Sequence, residues 1–276
     1  MHYLFRTFIQ YSLASEGVDL KKKELRKKEW RIIREISWND FKLKYNRSVL
    51  GFVWSFIKPL LMLLTLYIVF HVLFKWNIPH YELFLLLGII LWNFFSEATS
   101  NGMNALISKQ SLIKKIFFRR RILIISSCIT DVISLVLNII VFLLFMLAFG
   151  MGFSSYNLMF LLYFAEIFIL ALGMSYGLSA LYIKYRDMKH IWDVLLQIGF
   201  WITPIVYAVS TFPQKYVNLI MLNPLARIIN DSRDAFIFHY IPSLKHLAIT
   251  IVLCLVIYFI GFWIFRKISP YFAEKI

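Results

Sequence analysis

Charge is scarce in this chain, and acid scarcer still. Asp, Glu, Lys and Arg make up 16% of the 276 residues, with 15 acidic against 30 basic. A soluble domain carries about a quarter charged residues and is about 45–50% apolar, whereas this chain is 60% hydrophobic. One globular core of this length has too little interior for that excess, which points to the bilayer as solvent. The two cysteines, Cys128 and Cys254, sit inside apolar runs with no CxxC or Cys/His spacing. That argues against a disulfide framework or a metal centre. The pattern G-x-x-x-x-G-K-[ST] is missing, and with it the usual cradle for nucleotide phosphates. H-E-x-x-H and G-x-S-x-G are missing too, and the six histidines are dispersed, so no enzyme site is expected. The first residues hold no compact apolar core with a small-residue cleavage site, so no cleaved signal peptide is expected and the N-terminus is expected to stay cytoplasmic.

What the chain has is apolar runs. Six spans are expected at about 49–74, 81–105, 122–149, 156–183, 191–208 and 244–265, each meeting the roughly 20 apolar residues that a crossing requires. Residues 1–48 form a basic segment in which Trp30, Ile33, Ile36, Trp38, Phe41 and Tyr45 recur at helical spacing between charges. This predicts an amphipathic helix lying in the interfacial plane. Residues 49–276 then make a single six-span domain. Pro59 is expected to kink the first span. Between the fifth and sixth spans, about 212–241, Pro213, Asn223-Pro224 and Pro242 break a moderately apolar stretch into pieces too short to cross. A re-entrant helical hairpin fits, provided its turn is shielded by protein.

Basic residues set the orientation. Twelve Lys and Arg precede residue 48, six lie in 107–121, three in the loop after the fourth span and three in the tail. These are 24 of the 30, and by the positive-inside rule both termini are cytoplasmic.

Ionisable groups at membrane depth are costly, about 2.5–3.5 kcal/mol each at a helix centre. Here they are Lys58, Glu97, Asp131 and Glu166. Asp131, Ser134 and Asn138 form a polar stripe read as interhelical hydrogen bonding. Phe52, Phe56, Tyr67 and Phe70 fall on one face of the first span, and Trp201 and Tyr207 recur on the fifth. These rings are either a lipid-facing or core surface, or a pore wall on which sugar rings slide. Gly173-Met-Ser-Tyr-Gly177 permits close helix approach, within the chain or between two chains. The loop 107–121 reads as a short amphipathic helix suited to a groove on a cytosolic partner.

Four stretches in order resemble the polysaccharide and polyol-phosphate exporter permeases of the type-2 ABC superfamily, the group holding O-antigen, capsule and teichoic-acid permeases. They are DFKLKYNRSVLGFVWSFIKPL at 40–60, GIILWNFFSEAT at 88–99 with LIKKIFFRR at 112–120, YIKYRDMKHI at 182–191, and TPIVY at 203–207 with LNPLARI at 222–228. The resemblance implies an ABC exporter permease in the cell inner membrane, moving lipid-linked polysaccharide. Its partners would be a second copy of itself and two copies of a cytosolic ATPase. The ATPase would bind the ATP, and no cofactor of the chain's own and no nucleic acid are implied. It implies pore residues at Phe52, Phe56, Tyr67, Phe70, Trp201 and Tyr207. Lys44, Arg47 and Lys58 would meet a lipid pyrophosphate at the cytoplasmic mouth. Leu112, Ile113, Lys114, Lys115, Phe117 and Phe118 would couple to the ATPase, Arg186 and Asp187 would tie the fourth-to-fifth loop to the interface helix, and Asn223-Pro224 would mark an exit gate. The rivals are a drug or lipid exporter of the same superfamily, a membrane-embedded glycan-modifying enzyme and a secondary carrier.

Overall fold

A computed structural model describes residues 24, 26–44, 51–115 (without the side chains of Lys114 and Lys115) and 119–269. Among these residues the chain is helical and has no strand. Helix α1 covers 26–44. Helix α2, Trp54–Tyr67, begins with a 3-10 turn, Gly51–Val53, and ends in a π-helical turn, Ile68–Leu73. Then come α3 (Tyr81–Ser108), α4 (Gln110–Lys115), α5 (Arg121–Ala148), α6 (Phe160–Lys184), α7 (Met188–Ile202), α8 (Gln214–Ile220), α9 (Pro224–Phe236) and α10 (Leu244–Ile268).

Among the described residues five helical stretches are long and apolar enough to cross a membrane: Gly51–Leu73, Tyr81–Ser108, Arg121–Ala148, Ser155–Lys184 and Leu244–Ile268. They match five of the expected spans to within a few residues. The expected fifth span, 191–208, differs. Its helix α7 stops at Ile202 after 15 residues, roughly 22 Å at about 1.5 Å per residue and short of a ~30 Å hydrocarbon core.

Helix α3 is the axis of the bundle, buried along most of its length from Tyr81 to Leu106. Helices α2, α5, α6 and α7 pack on it, and α9 lies against α3, α6 and α10. The α6–α10 seam settles which surface the Gly173/Gly177 pair faces. A Cβ on Gly261 of α10 would lie 1.9 Å from the Gly173 carbonyl oxygen, and one on Gly173 would lie 2.4 Å from the Tyr258 Cα. The small residues thus bring backbones together within the chain. Tyr176 fills the space beside them against Tyr258, Phe262 and Phe265. Because backbone cannot yield as a side-chain tip can, Gly261→Val is expected to separate the two helices, at a cost of about 1–3 kcal/mol or more from overpacking. The check is the melting temperature in detergent. An unchanged value would mean that the seam is looser than this geometry allows.

Candidate functional site

Helix α1 is fastened to the rest of the bundle by hydrogen bonds and ion pairs. Ser37 Oγ donates to the Ser126 carbonyl of α5 (2.9 Å) and Thr130 Oγ1 donates back to the Ser37 carbonyl (3.2 Å). Lys109 pairs with Asp40, and Arg119 and Arg121 reach Glu29 at 3.2 and 3.4 Å. These contacts gather α1, the C-terminal end of α3 and the start of α5 at one end of the bundle, here termed the basic end.

Beside that junction a cleft of about 550 Å³ opens between α2, α3 and α5. Its walls include Lys44, Gly51, Trp54, Lys58 and Met62 on one side, and Asn93, Glu97, Asp131 and Asn138 on the other. Measured along α2 from Gly51 to Met62, it runs roughly 16 Å into the bundle at about 1.5 Å per residue. Apolar side chains share the lining, and its polar groups are chiefly ionic and amide. Lys44 Nζ donates to Glu97 Oε2 at 2.6 Å and to Asp131 Oδ1 at 3.2 Å. Asn101 Nδ2 donates to both Asp131 oxygens, at 3.0 and 2.9 Å. Asp131 is 1% exposed, and a buried carboxylate persists only if paired and hydrogen-bonded. The polar stripe therefore divides. Asp131 bonds across helices, while Asn138 Nδ2 donates to the Ser134 carbonyl of its own helix, 2.9 Å away.

Lys44 and Lys58, 14 positions apart in sequence, thus line one cleft. Lys44 is engaged by two carboxylates. Lys58 is in no ion pair among the described residues. Arg47 lies outside the described residues, as do Phe117 and Phe118.

The aromatic residues fall into separate groups. Phe52 and Phe56 meet edge to face at 4.8 Å near the basic end. At the far end Tyr67 stacks on His71 and approaches Tyr81, while Phe70 contacts Phe74 and Trp76. Trp201 is 57% exposed at the end of α7. The Tyr207 hydroxyl donates to the Ile202 and Trp201 carbonyls, at 2.6 and 3.1 Å, closing the last turn of that helix. Leu112 and Ile113 are half-buried on α4. Arg186 lies over the Tyr182 ring, 5.9 Å from its centre, and Asp187 precedes α7. Among the described residues no hydrogen bond or ion pair joins either to α1.

The far end is closed by Asn223 and Pro224, which the sequence singles out, together with Arg227, Arg233 and Tyr81, which sequence reasoning passed over. Asn223 caps α9, its Oδ1 accepting from Leu225 N at 3.0 Å, while its Nδ2 donates to Thr203 Oγ1 at 3.2 Å. Pro224 takes the first turn of α9, where a missing N–H costs nothing. Arg227 donates to Thr250 Oγ1 and to the Met221 and His246 carbonyls. Arg233, 1% exposed, donates to the carbonyls of Phe84, Pro204 and Ile205. Tyr81 Oη donates to the Val206 carbonyl at 2.9 Å. The non-helical turn after α7 is thereby buried with three successive carbonyls, 204–206, satisfied by distant side chains. A signal for the two arginines was available: they stand on the side of the chain where the charge bias leaves few cations.

The ABC-2 type transporter family profile matches residues 32–237. The chain is similar to an "O-antigen export system permease protein RfbA" of Klebsiella pneumoniae, 29% identical over 246 residues, 87% of this chain and 92% of that protein. A protein of the same name from Myxococcus xanthus is 28% identical over 243 residues, 86% of this chain and 92% of its own. The "Polysialic acid transport protein KpsM" of Escherichia coli is 24% identical over 237 residues, 82% and 89% of the two chains.

Proposed function

We propose, from the premise that the chain belongs to the ABC-2 type transporter family, that it is the permease of an exporter moving lipid-linked polysaccharide across the inner membrane. A separate cytosolic ATPase supplies the energy, and the working unit holds two copies of each. The observation that carries this reading is the cleft. A cleft of mixed lining, which gathers Lys44, Lys58, Glu97, Asp131 and the amides of Asn93 and Asn138 beside apolar side chains, reaches roughly halfway along α2 from the basic end, and such polar groups serve the entry of a polar polymer better than that of a small apolar drug. Likeness to O-antigen permeases across nearly the whole chain supports the substrate class.

In this reading the basic end faces the cytoplasm and the fifth crossing is α7 with its buried turn. Helices α8 and α9 form the re-entrant hairpin around Asn223-Pro224. The satisfied carbonyls at 204–206 support that placement, because non-helical backbone at membrane depth must be shielded and bonded. Lys58 and Arg47 are the cations for the lipid diphosphate. Lys44 holds the cleft wall together. Phe52, Phe56, Tyr67, Phe70, Trp201 and Tyr207 serve the polymer path, and Arg186 with Asp187 shapes the loop beneath it. The segment Leu112 to Phe118, begun by α4, meets the ATPase. A drug or lipid exporter of the same superfamily is the second reading, and the polar cleft disfavours it.

The test is reconstitution with the partner ATPase. Wild type is expected to co-purify with it and to move lipid-linked glycan only with ATP. Leu112→Asp/Ile113→Asp, which places two charges on the docking segment, is expected to lower transport at least tenfold, about 1.4 kcal/mol or more in coupling. A chain that binds no ATPase and moves no glycan would sink the proposal.

A further inference from the structure

We propose that the open flank of α1 is a binding site for an anionic phospholipid of the surrounding bilayer. This rests on the membrane placement of the basic end and not on the exported substrate.

The α1–α5 seam has two unlike sides. Ile33 and Ser37 are buried in it. On the side toward the cleft it is closed by the Lys109–Asp40 and Lys44–Glu97–Asp131 contacts. On the other side, among the described residues, it forms a groove of about 1160 Å³. Ile129 and Ile133, one turn apart on α5, wall that groove, and Trp30 and Trp38 of α1 flank it. Arg26, Lys27, Arg31 and Arg34 rim it, and Glu35 is the one carboxylate among the described lining residues. Glu35 lies 3.4 Å from Arg34, and among the described residues the remaining three cations, Arg26, Lys27 and Arg31, are in no ion pair. Trp30 is 64% and Trp38 50% exposed.

An occupant must therefore combine a long apolar body with an anionic head. A nucleic acid or acidic peptide would leave the isoleucine wall bare, and an apolar helix would leave the rim charges unmatched. A glycerophospholipid supplies both parts: acyl carbon against Ile129 and Ile133, and phosphate oxygens accepting from guanidinium and ammonium donors. Exposed tryptophans beside basic residues suit the headgroup layer, where indole rings are enriched. A polyprenyl diphosphate has the same shared chemistry. The groove, however, lies across α1 from the polar cleft, so a substrate seated there would have its sugars on the wrong side of the helix.

The experiment counts lipids that stay bound to the permease–ATPase complex by native mass spectrometry, with phosphatidylglycerol and phosphatidylcholine as probes. Wild type is expected to retain phosphatidylglycerol preferentially. Arg26→Gln/Lys27→Gln/Arg31→Gln is expected to weaken retention on the order of a hundredfold, from about fivefold per removed cation near a membrane surface. Lys28→Gln, on α1 but not among the residues lining the groove, is expected to retain it as wild type does. Ile129→Trp, which fills the wall and keeps every cation, provides an independent loss of binding should the triple variant fold poorly. Equal retention of the two lipids by wild type, or unchanged retention in both groove variants, overturns the site. Stoichiometric displacement of phosphatidylglycerol by lipid-linked glycan also overturns it, in favour of the substrate.

Discussion

Arg233→Ala is expected to leave the chain without a stable far end, lowering the melting temperature in detergent by about 10 °C or more, or abolishing monodisperse expression. The guanidinium is 1% exposed and makes three hydrogen bonds to backbone, to Phe84 O at 3.0 Å, Pro204 O at 2.5 Å and Ile205 O at 2.7 Å. It also lies 3.5 Å above the centre of the Phe84 ring. Truncation leaves the buried Pro204 and Ile205 carbonyls without donors, at about 1–3 kcal/mol each, while the Phe84 carbonyl, inside α3, keeps its helical partner. Several kcal/mol is a large share of an ordinary folding stability of about 5–15 kcal/mol, and in a chain of this size about 1 kcal/mol moves the midpoint roughly 2–4 °C. Arg233→Lys is not expected to rescue, because one ammonium cannot span three carbonyls held by a planar fork. Gly88 gives an independent route to the same outcome. A Cβ there would lie 2.3 Å from Arg233 Nη2, so Gly88→Ala is expected to displace the guanidinium and share the phenotype. Wild-type melting curves for both variants would show that the turn after α7 is held by something else.

That arginine also marks where sequence reading stops. The spans were legible because a run of twenty or more apolar residues has few soluble alternatives, and the expected 81–105 and 122–149 became Tyr81–Ser108 and Arg121–Ala148. The stretch 191–208 is apolar apart from Asp193, Gln197, Thr203 and Pro204, yet its helix ends at Ile202. Hydropathy reports the environment of side chains and says nothing about which backbone carbonyls are paired. Here those of 204 and 205 are paired by an arginine 29 and 28 positions downstream. The Gly173/Gly177 pair was legible as a contact but not as an address, because the partner, Gly261, carries no local mark of its role. The charged residues of the cleft behaved alike. Lys58, Glu97 and Asp131 stood out singly as costly at membrane depth. Pairing Lys44 with Glu97 and Asp131 bridges 53 and 87 positions, which no spacing rule reaches.

Lys44 is accordingly the residue where sequence and geometry part most sharply, and its replacement separates the two roles. If Lys44 serves as a phosphate ligand, Lys44→Met lowers transport of lipid-linked glycan and leaves folding alone. The geometry favours the opposite order. Removing the ammonium leaves Asp131, 1% exposed, with Asn101 as its remaining partner among the described residues and Glu97 close enough to share the same cation. Breaking a buried pair by deleting one partner costs about 3–5 kcal/mol, because an uncompensated charge stays behind. Glu97 is 46% exposed on its side chain, so solvent screens its part and most of the penalty falls on Asp131. Lys44→Met is therefore expected to melt well below wild type, and Asp131→Asn, which keeps Lys44 on Glu97, is expected to be the milder change. The double variant Lys44→Met/Asp131→Asn is expected to recover much of the lost stability, since the stranded carboxylate is gone. Lys58→Met, with no carboxylate depending on it among the described residues, is expected to melt like wild type and to lose transport. The measurement is a double-mutant cycle of melting temperatures run beside ATP-driven transport. Additive stabilities at positions 44 and 131 would remove the counter-ion role and return Lys44 to the substrate. A cycle with strong coupling in stability, set against a transport defect confined to Lys58, would divide the cleft into one cation that builds the wall and one that meets the cargo.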